Sequence, residues 1–303
     1  MRVLVTGAAG FIGRQCIAPL LAKGYEVHAI SSKPPGEDGI VHWHKADLLD
    51  ARQCGDLVRQ VQPTHLLHFA WYAVPGKYWT SAENLRWVQA SLELMQAFAA
   101  VGGKRIVMAG TCAEYDWSFG HCAEVSTPLV PATLYGTCKH ALQTMLAAWS
   151  RQEGLSSAWG RIFSLYGPHE HPARLVASVI TALLRGEEAP CNNGSLVRDY
   201  LHVADVASAF VALLDSDLEG PVNIGSGTGV TLKDIVEEIA SQIGQPNLLR
   251  LEARPKSSSE PQTLVADVGR LYSLGWRPHY NLADGLDQTI AWWRTAVEGG
   301  SRS

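Results

Sequence analysis

Long basic runs, membrane-length apolar segments and metal-binding cysteine pairs are all missing from this chain of 303 residues. Its formal net charge is −4, so nucleic acid is not expected as a partner. A membrane-spanning helix needs about 20 consecutive apolar residues, and no stretch approaches that length. We therefore predict a protein that binds neither nucleic acid nor a membrane.

The cysteines carry no recognisable pattern either. They stand at positions 16, 54, 112, 122, 138 and 191, without the close pairs of a zinc site. The first apolar run begins almost at residue 1, which leaves no room for a signal peptide. We predict reduced thiols in a cytoplasmic protein. Because 47% of the residues are hydrophobic, the chain can bury a large core.

The segment Met1–Gly13, MRVLVTGAAGFIG, is the first feature with a specific meaning. Its apolar run predicts a buried strand, and Gly7 allows a tight turn into a helix. Gly10 lets backbone N–H groups approach a pyrophosphate, and Gly13 lets the helix pack closely on the sheet. We predict a dinucleotide site at this turn, which also includes Phe11 and Ile12.

Downstream, apolar runs alternate with amphipathic patterns, which predicts a doubly wound parallel Rossmann sheet of the α/β class. Strands are predicted at 25–30, 64–69, 105–109 and 157–163, and helices at 82–101 and 135–153. After Gly167 the pattern becomes irregular. Helices at 174–185 and 231–243 and a strand at 249–251 indicate a smaller mixed α/β domain for the substrate. We predict a dinucleotide-binding domain over 1–166, to which 199–228 returns, and a substrate-binding domain over 167–198 and 229–297, which the resemblance described below assigns to a nucleotide sugar.

The predicted helix 135–153 opens with Tyr135-Gly-Thr-Cys-Lys139. Residues four apart share a helix face, so Lys139 lies beside Tyr135 and its charge favours the phenolate. A tyrosine tuned in this way can donate and accept protons near neutral pH. The spacing alone is weak evidence, but here it follows a glycine-rich nucleotide turn, and Thr111 ends an intervening strand.

These motifs resemble the extended branch of the short-chain dehydrogenase/reductase superfamily, whose Ser/Thr–Tyr–Lys triad falls on Thr111, Tyr135 and Lys139. The resemblance implies cofactor contacts at Asp47-Leu48, next to adenine, and at Phe69-Ala70 in His-Phe-Ala. It extends over nearly the whole chain through segments 161–168, 198–206, 223–225 and 274–276. Together these segments are typical of the enzymes that act on nucleotide-linked sugars.

That branch holds the substrate pyrophosphate with arginines, whose planar fork suits phosphate oxygens. The resemblance implies Arg198 first, then Arg254, then Arg174. Ser164 stands where many relatives carry asparagine. We interpret His169, which follows Tyr-Gly-Pro, as a loop or substrate hydrogen-bonding residue. Cys112 is either a substrate neighbour or a small packing residue.

The segment Thr111-Cys112-Ala113 reduces the number of reactions that we expect. Dehydratases of this branch carry Thr-Asp-Glu there, and Glu114 comes one place too late, so dehydration is not expected. Two reactions stay open, 4-ketoreduction and 4-epimerisation, and a non-catalytic sugar-nucleotide sensor is a third interpretation. The presence of Tyr135 argues against a sensor.

The end of the second strand reads Ser31-Ser32-Lys33, without the carboxylate that usually holds the ribose of NAD. Hydroxyls and a cation, with Arg14 nearby, suit a 2′-phosphate. We therefore predict NADP(H) rather than NAD, and an NADPH-dependent reductase of a nucleotide-linked 4-keto sugar of the 6-deoxy type, with an NAD-dependent 4-epimerase as the alternative. In either reaction Tyr135 exchanges the proton, Lys139 lowers the tyrosine pKa and binds the nicotinamide ribose, and Thr111 hydrogen-bonds the reacting oxygen.

Two further expectations concern surfaces. The aromatic loop 71–79 either forms a wall over the sugar or packs in the core or a dimer contact. Relatives pair through two helices per subunit, here 82–101 and 135–153. We therefore expect a homodimer with a four-helix contact.

Overall fold

The computed structural model of the chain describes residues 1–36, 39–192, 194–251 and 260–300. The strands are β1 (Arg2–Thr6), β2 (Glu26–Ser31), β3 (His42–Lys45), β4 (His65–His68), β5 (Arg105–Thr111), β6 (His121–Cys122), β7 (Ser156–Ile162), β8 (Ser164–Tyr166), β9 (Ala189–Cys191), β10 (Val197–His202), β11 (Gly220–Ile224), β12 (Gly229–Thr231), β13 (Leu249–Leu251) and β14 (Thr263–Ala266). The helices are α1 (Gly13–Ala22), α2 (Ala51–Val61), α3 (Glu83–Ala100), α4 (Leu134–Glu153), α5 (Leu175–Leu184), α6 (Val203–Leu214), α7 (Leu232–Ile243), α8 (Gly269–Tyr272) and α9 (Leu282–Gly300).

Seven strands form one parallel sheet in the order β11-β7-β5-β4-β1-β2-β3. The central strands of this sheet are covered on both faces, so β1 and β5 read as nearly continuous apolar runs. Val3 and Val5 of β1 point into the core beside α1 and α6, whereas Leu4 points to the opposite core beside α2, α3 and α4. The prediction of a doubly wound parallel Rossmann sheet is confirmed.

A second, mixed sheet is built mainly from later parts of the chain. Its strands follow the order β12-β10-β14-β6, with β8 paired to β10, and the β10–β12 pair is antiparallel. Strands β9 and β13 pair separately. Helices α5, α7 and α9 pack together on a further apolar core that includes Ile180, Ile235 and Leu286. The smaller mixed α/β unit is therefore present.

Two capping residues determine where α4, the helix that carries the predicted catalytic pair, begins and ends. The Thr133 hydroxyl accepts a hydrogen bond from the Gly136 N–H, so α4 begins immediately before Tyr135. Gly154 ends the helix in a left-handed conformation, with φ of 65°. These two caps fix the position of Tyr135 and Lys139 along α4 relative to the end of β5.

All six cysteines are free thiols, as predicted. Among the helices that the structure describes, none is both long and apolar enough to cross a membrane.

Candidate active site

The glycine-rich turn joins β1 to α1 at the carboxyl edge of the large sheet. Gly7 has φ of 64°, and a Cβ there would lie 2.9 Å from the backbone nitrogen of Ala70. A Cβ on Gly13 would overlap the Gly7 carbonyl, so only glycine lets α1 start this close to the turn. The Gly10 N–H closes the turn by donating to the Gly7 carbonyl at 2.9 Å. This geometry suits a bound pyrophosphate, as the sequence predicts.

A buried chain of hydrogen bonds fixes the neighbouring strand end. The Ser91 hydroxyl donates to the Trp87 carbonyl, so it accepts from Nε2 of His68 at 2.9 Å. Nδ1 of the same ring then accepts from the Thr6 hydroxyl at 2.7 Å, and Thr6 Oγ1 accepts from the Ala70 N–H. Burial lowers the pKa of His68 to about 3, which keeps this ring neutral.

Phe69, the aromatic residue that follows β4, packs on the core beside α1 and α6. The Phe69 side chain lies edge-on against the Phe210 ring of α6, at 4.9 Å between centroids. Phe69 and Ala70 therefore border the glycine-rich turn through their backbone, since a Cβ on Gly7 would meet backbone atoms of both residues.

The groups predicted to hold a 2′-phosphate are engaged locally. The Ser31 hydroxyl accepts the Lys33 N–H at 3.1 Å, and the side chains of Ser32 and Lys33 are exposed. The Arg14 guanidinium donates to the Ala9 carbonyl at 2.7 Å and to the Gly10 carbonyl at 3.3 Å. The Arg14 guanidinium therefore already has two partners within its own turn.

The predicted adenine neighbours follow β3 directly. Asp47 is exposed, and its carboxylate accepts the Leu49 N–H at 3.0 Å. The Leu48 side chain is buried in the core beside α2. The backbone turn, rather than the Leu48 side chain, therefore faces the cofactor edge.

Thr111 and Tyr135 meet where β5 ends and α4 begins. The Thr111 hydroxyl accepts the Ala113 N–H at 3.2 Å, and the Tyr135 N–H donates to the Trp79 carbonyl at 3.1 Å. Burial raises the pKa of Tyr135 above its usual range, and a hydrogen bond with Thr111 opposes that rise. The structure thus brings the predicted proton donor and its hydroxyl partner together.

Lys139 is 4% exposed and lies one turn further along α4. Its ammonium donates to the Ala109 carbonyl at 2.8 Å and stands 3.7 Å from the centroid of the Trp71 ring. Burial lowers the pKa of Lys139 to about 7. The Tyr135 pKa is raised overall because loss of hydration is the larger effect, and the lowering expected from Lys139 stays a prediction.

Asn84, which no sequence motif marks as functional, anchors the aromatic loop. This fully buried side chain accepts from Nε1 of Trp71 at 2.8 Å and donates to the carbonyls of Tyr78 at 2.7 Å and Ser81 at 2.9 Å. The Tyr78 and Trp79 rings contact the Tyr135 ring edge-on, with centroids 4.9 and 5.7 Å away. The loop therefore lines the catalytic pair. An asparagine at the start of a predicted helix was the only sequence signal.

Glu114 is fully buried, and both of its carboxylate oxygens accept hydrogen bonds. Its carboxylate accepts from the Thr111 N–H at 2.9 Å, from Nε1 of Trp159 at 2.8 Å and from Nε of Arg161 at 2.8 Å. Such a pair is structural, since breaking it would leave an uncompensated buried charge. Glu114 therefore supplies no free acid or base beside Thr111.

The predicted substrate arginines lie on the other side of the catalytic pair. Arg198 on β10 pairs with Glu260 at 3.4 Å, and its charge acts to lower the pKa of the Cys112 thiol, although burial raises that pKa to about 12. The Arg174 guanidinium stands 5.3 Å from the centroid of the Tyr78 ring. Both cations are thus near the loop and the strand end that form the site. Arg254 lies outside the described residues.

Two other predicted substrate residues occupy less central positions. Ser164 is half-buried in β8 and pairs in register with Tyr200 of β10. His169 has φ of 68°, and its ring packs against Trp292 of α9 at 4.4 Å between centroids. Burial lowers the His169 pKa and the charge of Arg14 adds to that lowering, so this loop lies near the glycine-rich turn.

Known proteins resemble the chain over its whole length. Residues 3–225 match the NAD dependent epimerase/dehydratase family. UDP-glucose 4-epimerase of Rhizobium meliloti is 29% identical, over 98% of this chain and 98% of the relative. UDP-glucose 4-epimerase of Thermus thermophilus, solved with NAD, has a TM-score of 0.85 and 29% identity, covering 98% of this chain and 100% of the other. DesIV, a dTDP-glucose 4,6-dehydratase from Streptomyces venezuelae solved with NAD and DAU bound, has a TM-score of 0.84 and 27% identity, covering 97% of both chains.

These findings correct the cofactor prediction. The family is NAD-dependent, and the two solved relatives named above were solved with NAD, so the prediction of NADP(H) is wrong. The physical reason lies in the local hydrogen bonds of Ser31 and Arg14, which residue types alone do not reveal. The resemblance to the extended short-chain dehydrogenase/reductase superfamily is confirmed, and the chain is an enzyme that belongs to the NAD-dependent epimerase/dehydratase family.

Proposed function

We propose that this enzyme is an NAD-dependent 4-epimerase of a nucleotide-diphosphate sugar. The observation that carries the proposal is the meeting of Thr111 and Tyr135 at the end of β5, next to Cys112 and Ala113 instead of two carboxylates. Such a site can exchange one proton at a sugar hydroxyl. It has no free carboxylate at these positions to drive the elimination of water, because Glu114 is held by Trp159 and Arg161.

The residues at the carboxyl edge of the sheet fit NAD. The turn at Gly7, Gly10 and Gly13, with the backbone of Phe11 and Ile12, suits the pyrophosphate. Lys139 would hold the nicotinamide ribose. When bound, NAD supplies the acceptor and later the donor of one hydride.

The chain's own groups handle the proton. As the phenolate, Tyr135 takes the proton of the sugar 4-hydroxyl while that carbon is oxidised, and the phenol so formed returns the proton when the carbon is reduced from the other face. Thr111 holds the reacting oxygen and Lys139 places a charge near it. Hydride and proton both return to the sugar, so the reaction consumes no reductant.

Reduction of a nucleotide-linked 4-keto sugar is the second candidate, and one observation favours it. Tyr78 and Trp79 pack on the Tyr135 ring, and Trp71 packs on Lys139. Crowding of this kind limits the space in which a keto sugar would turn to present its other face. A site that delivers hydride to one face needs no such turn.

One experiment separates the two reactions. The purified enzyme is incubated with UDP-glucose or UDP-galactose without added cofactor, and separately with NADH and a nucleotide-linked 4-keto-6-deoxy sugar. Interconversion in the first mixture, with NAD released when the enzyme is denatured, supports the epimerase. Stoichiometric loss of NADH absorbance in the second, with no interconversion in the first, replaces it with the reductase.

We infer that the substrate pyrophosphate lies between Arg198 and Arg174, with Arg254 as a further candidate. Arginine forks bind phosphate oxygens well, and both described cations lie next to residues that contact the catalytic pair. Arg198→Ala should raise KM for the nucleotide sugar with little change in kcat. Arg185→Ala, on the end of α5, is the matched control.

We also propose a homodimer in which α3 and α4 of two copies form a four-helix contact. Leu85 on α3 is 58% exposed and Met145 on α4 is 37% exposed, so apolar side chains mark the outer surface of both helices. Met95, by contrast, is buried in the subunit core. The six free thiols suit a reducing compartment, and a cytoplasmic location stays a prediction.

A further inference from the structure

A cluster of histidines lies on β2 and β3, away from the catalytic pair. His28 of β2 pairs in register with His42 of β3, and Glu26 and His44 follow at two-residue spacing on the same face of the sheet. The His28 and His42 rings lie nearly parallel, at 22° and 4.7 Å between centroids. Because Glu26 is near the amino end of β2, roughly 16 Å of strand separates it from the cofactor edge.

The polar atoms of this cluster already point at one another. The carboxylate oxygen Oε1 of Glu26 is 3.0 Å from Nε2 of His28, and Nδ1 of His28 is 3.0 Å from Nε2 of His44. One ligand atom each from Glu26, His28 and His42 lies within 4.8 Å of the others. Two ligands bonded to one zinc-like ion stand roughly 3.3 Å apart, so small movements of the exposed Glu26 and His42 side chains would close the site.

We propose that Glu26, His28 and His42 form a binding site for a divalent first-row transition ion of the zinc class. Two imidazoles and one carboxylate are the donors that such ions prefer, whereas magnesium and calcium prefer oxygen alone. The remaining coordination positions face solvent and would hold water. The site is independent of the proposed sugar chemistry.

His44 completes the arrangement without touching the ion. When Nε2 of His28 binds the metal, the ring proton sits on Nδ1 and donates to Nε2 of His44. Both rings exchange tautomers and each keeps one proton, so no net proton is lost. Burial lowers the pKa values of His28 and His44, which favours the neutral form of both rings. A neutral ring is the form that binds metal.

One cation stands beside the cluster and must be accommodated. Arg2 of β1 contacts Oε2 of Glu26 at 3.2 Å, whereas His28 contacts the other oxygen, Oε1. Glu26 can therefore keep Arg2 on one oxygen while the second binds the ion. The Arg2 charge still repels a metal ion, so Arg2→Ala should bind the ion at least as tightly as the wild-type chain does.

The test titrates the full chain, free of any histidine tag, with cobalt chloride and follows the visible absorption of the ion. We expect saturation at one ion per chain and a higher thermal midpoint with zinc chloride. His42→Ala and Glu26→Gln should each weaken binding at least tenfold, and His44→Ala by about 10–100-fold. His121→Ala, an exposed histidine outside the cluster, is the control and should bind like the wild-type chain.

Three results would overturn the proposal. The first is the absence of saturable cobalt binding in the wild-type chain. The second is an unchanged cobalt affinity in both His42→Ala and Glu26→Gln. The third is a loss of cobalt affinity in His121→Ala that equals the loss in the ligand variants. If one ligand variant fails to fold, the other decides, because Glu26 and His42 lie on different strands and both are exposed.

Discussion

The ammonium of Lys139 rests between the Ala109 carbonyl and the face of Trp71, almost out of contact with water. Its folded-state pKa, about 7, lies below the ordinary value of 10.5. Between these two pH values the unfolded chain binds a proton that the folded chain lacks. The cofactor-free protein should therefore gain stability from Lys139 as the pH rises above 7, with a slope of at most about 1.4 kcal/mol per pH unit.

Lys139→Met tests this slope, because methionine is neutral in both states. At pH 7 the variant should be the more stable protein, and its advantage should shrink steadily towards pH 9. Urea unfolding of both cofactor-free proteins at several pH values measures the difference. An advantage that grows with pH would mean that the lysine is not forced towards its neutral form.

Tyr135→Phe removes the hydroxyl and keeps the ring that packs on Tyr78 and Trp79. Turnover should fall by about 10²–10⁴-fold, the range of general acid–base catalysis, while NAD stays bound. Thr111→Val should reduce turnover less, by an activation free energy on the order of 1–3 kcal/mol, because the hydrogen bond from Thr111 to the reacting oxygen is lost. Initial rates and the amount of retained NAD are measured for each variant. More than a tenth of wild-type turnover in Tyr135→Phe would contradict the assignment.

At the scale of elements, the approach of α4 to the end of β5 depends on Gly136. A Cβ there would overlap the Ala113 carbonyl and lie 3.0 Å from Cβ of Pro131. Alanine normally stabilises a helix relative to glycine by about 0.5–1 kcal/mol, yet Gly136→Ala should destabilise the protein by about 1–3 kcal/mol and reduce turnover. Thr137→Ala, on the exposed side of the same turn, is the control. A more stable, fully active Gly136→Ala enzyme would show that the two elements have room to separate.

The proposed dimer contact is tested on the same helix and on α3. Leu85→Glu combined with Met145→Glu should convert the dimer to a monomer, because two charges per subunit would enter an apolar contact. Light scattering at micromolar concentration measures the mass. Val125→Glu changes a side chain that is 88% exposed outside both helices and should leave the mass unchanged. A wild-type chain that is already monomeric would refute the contact.

Sequence reasoning succeeded for elements with strong local signals. Helices α3, α4, α5 and α7 agree with the predicted ranges within two residues, because their apolar periodicity is regular and α4 and α7 carry threonine caps. We assigned no helix to α2 or α9. In α9, Gly285 interrupts the pattern, and a Cβ there would overlap the Tyr166 hydroxyl, so tertiary packing explains that glycine.

The residues of the candidate site likewise fall into those that a local sequence pattern predicts and those that it does not. Tyr135 and Lys139 lie on one helix, so their spacing along the chain predicted that they share a face. Asn84 joins a loop to a helix across 13 residues, and no local pattern encodes that contact. The cofactor prediction was wrong for a related reason, because the partners of Ser31 and Arg14 are set by the folded turn.

At the scale of the whole molecule, the large sheet depends on residues from far along the chain. The buried guanidinium of Arg105 donates to the carbonyls of Leu213, Leu214 and Leu218. A fragment of residues 1–166 would lose those partners together with α6 and β11, and should lack a cooperative thermal transition. A fragment of residues 1–228 keeps them and should resist proteolysis better. The opposite order of protease resistance would contradict this dependence.

The same long-range dependence limits how this protein can recombine with its relatives. Helix α1 lies against α6, where Cys16 faces the Ala207 carbonyl, and Lys23 and Tyr25 both contact Asp215. A chimera with a single crossover between these segments would take the two halves of that contact from different parents. The smaller domain predicted over 167–198 and 229–297 can therefore be exchanged, with α1 and α6 inherited together, only by three crossovers: one near residue 166 and one on each side of the α6–β11 segment.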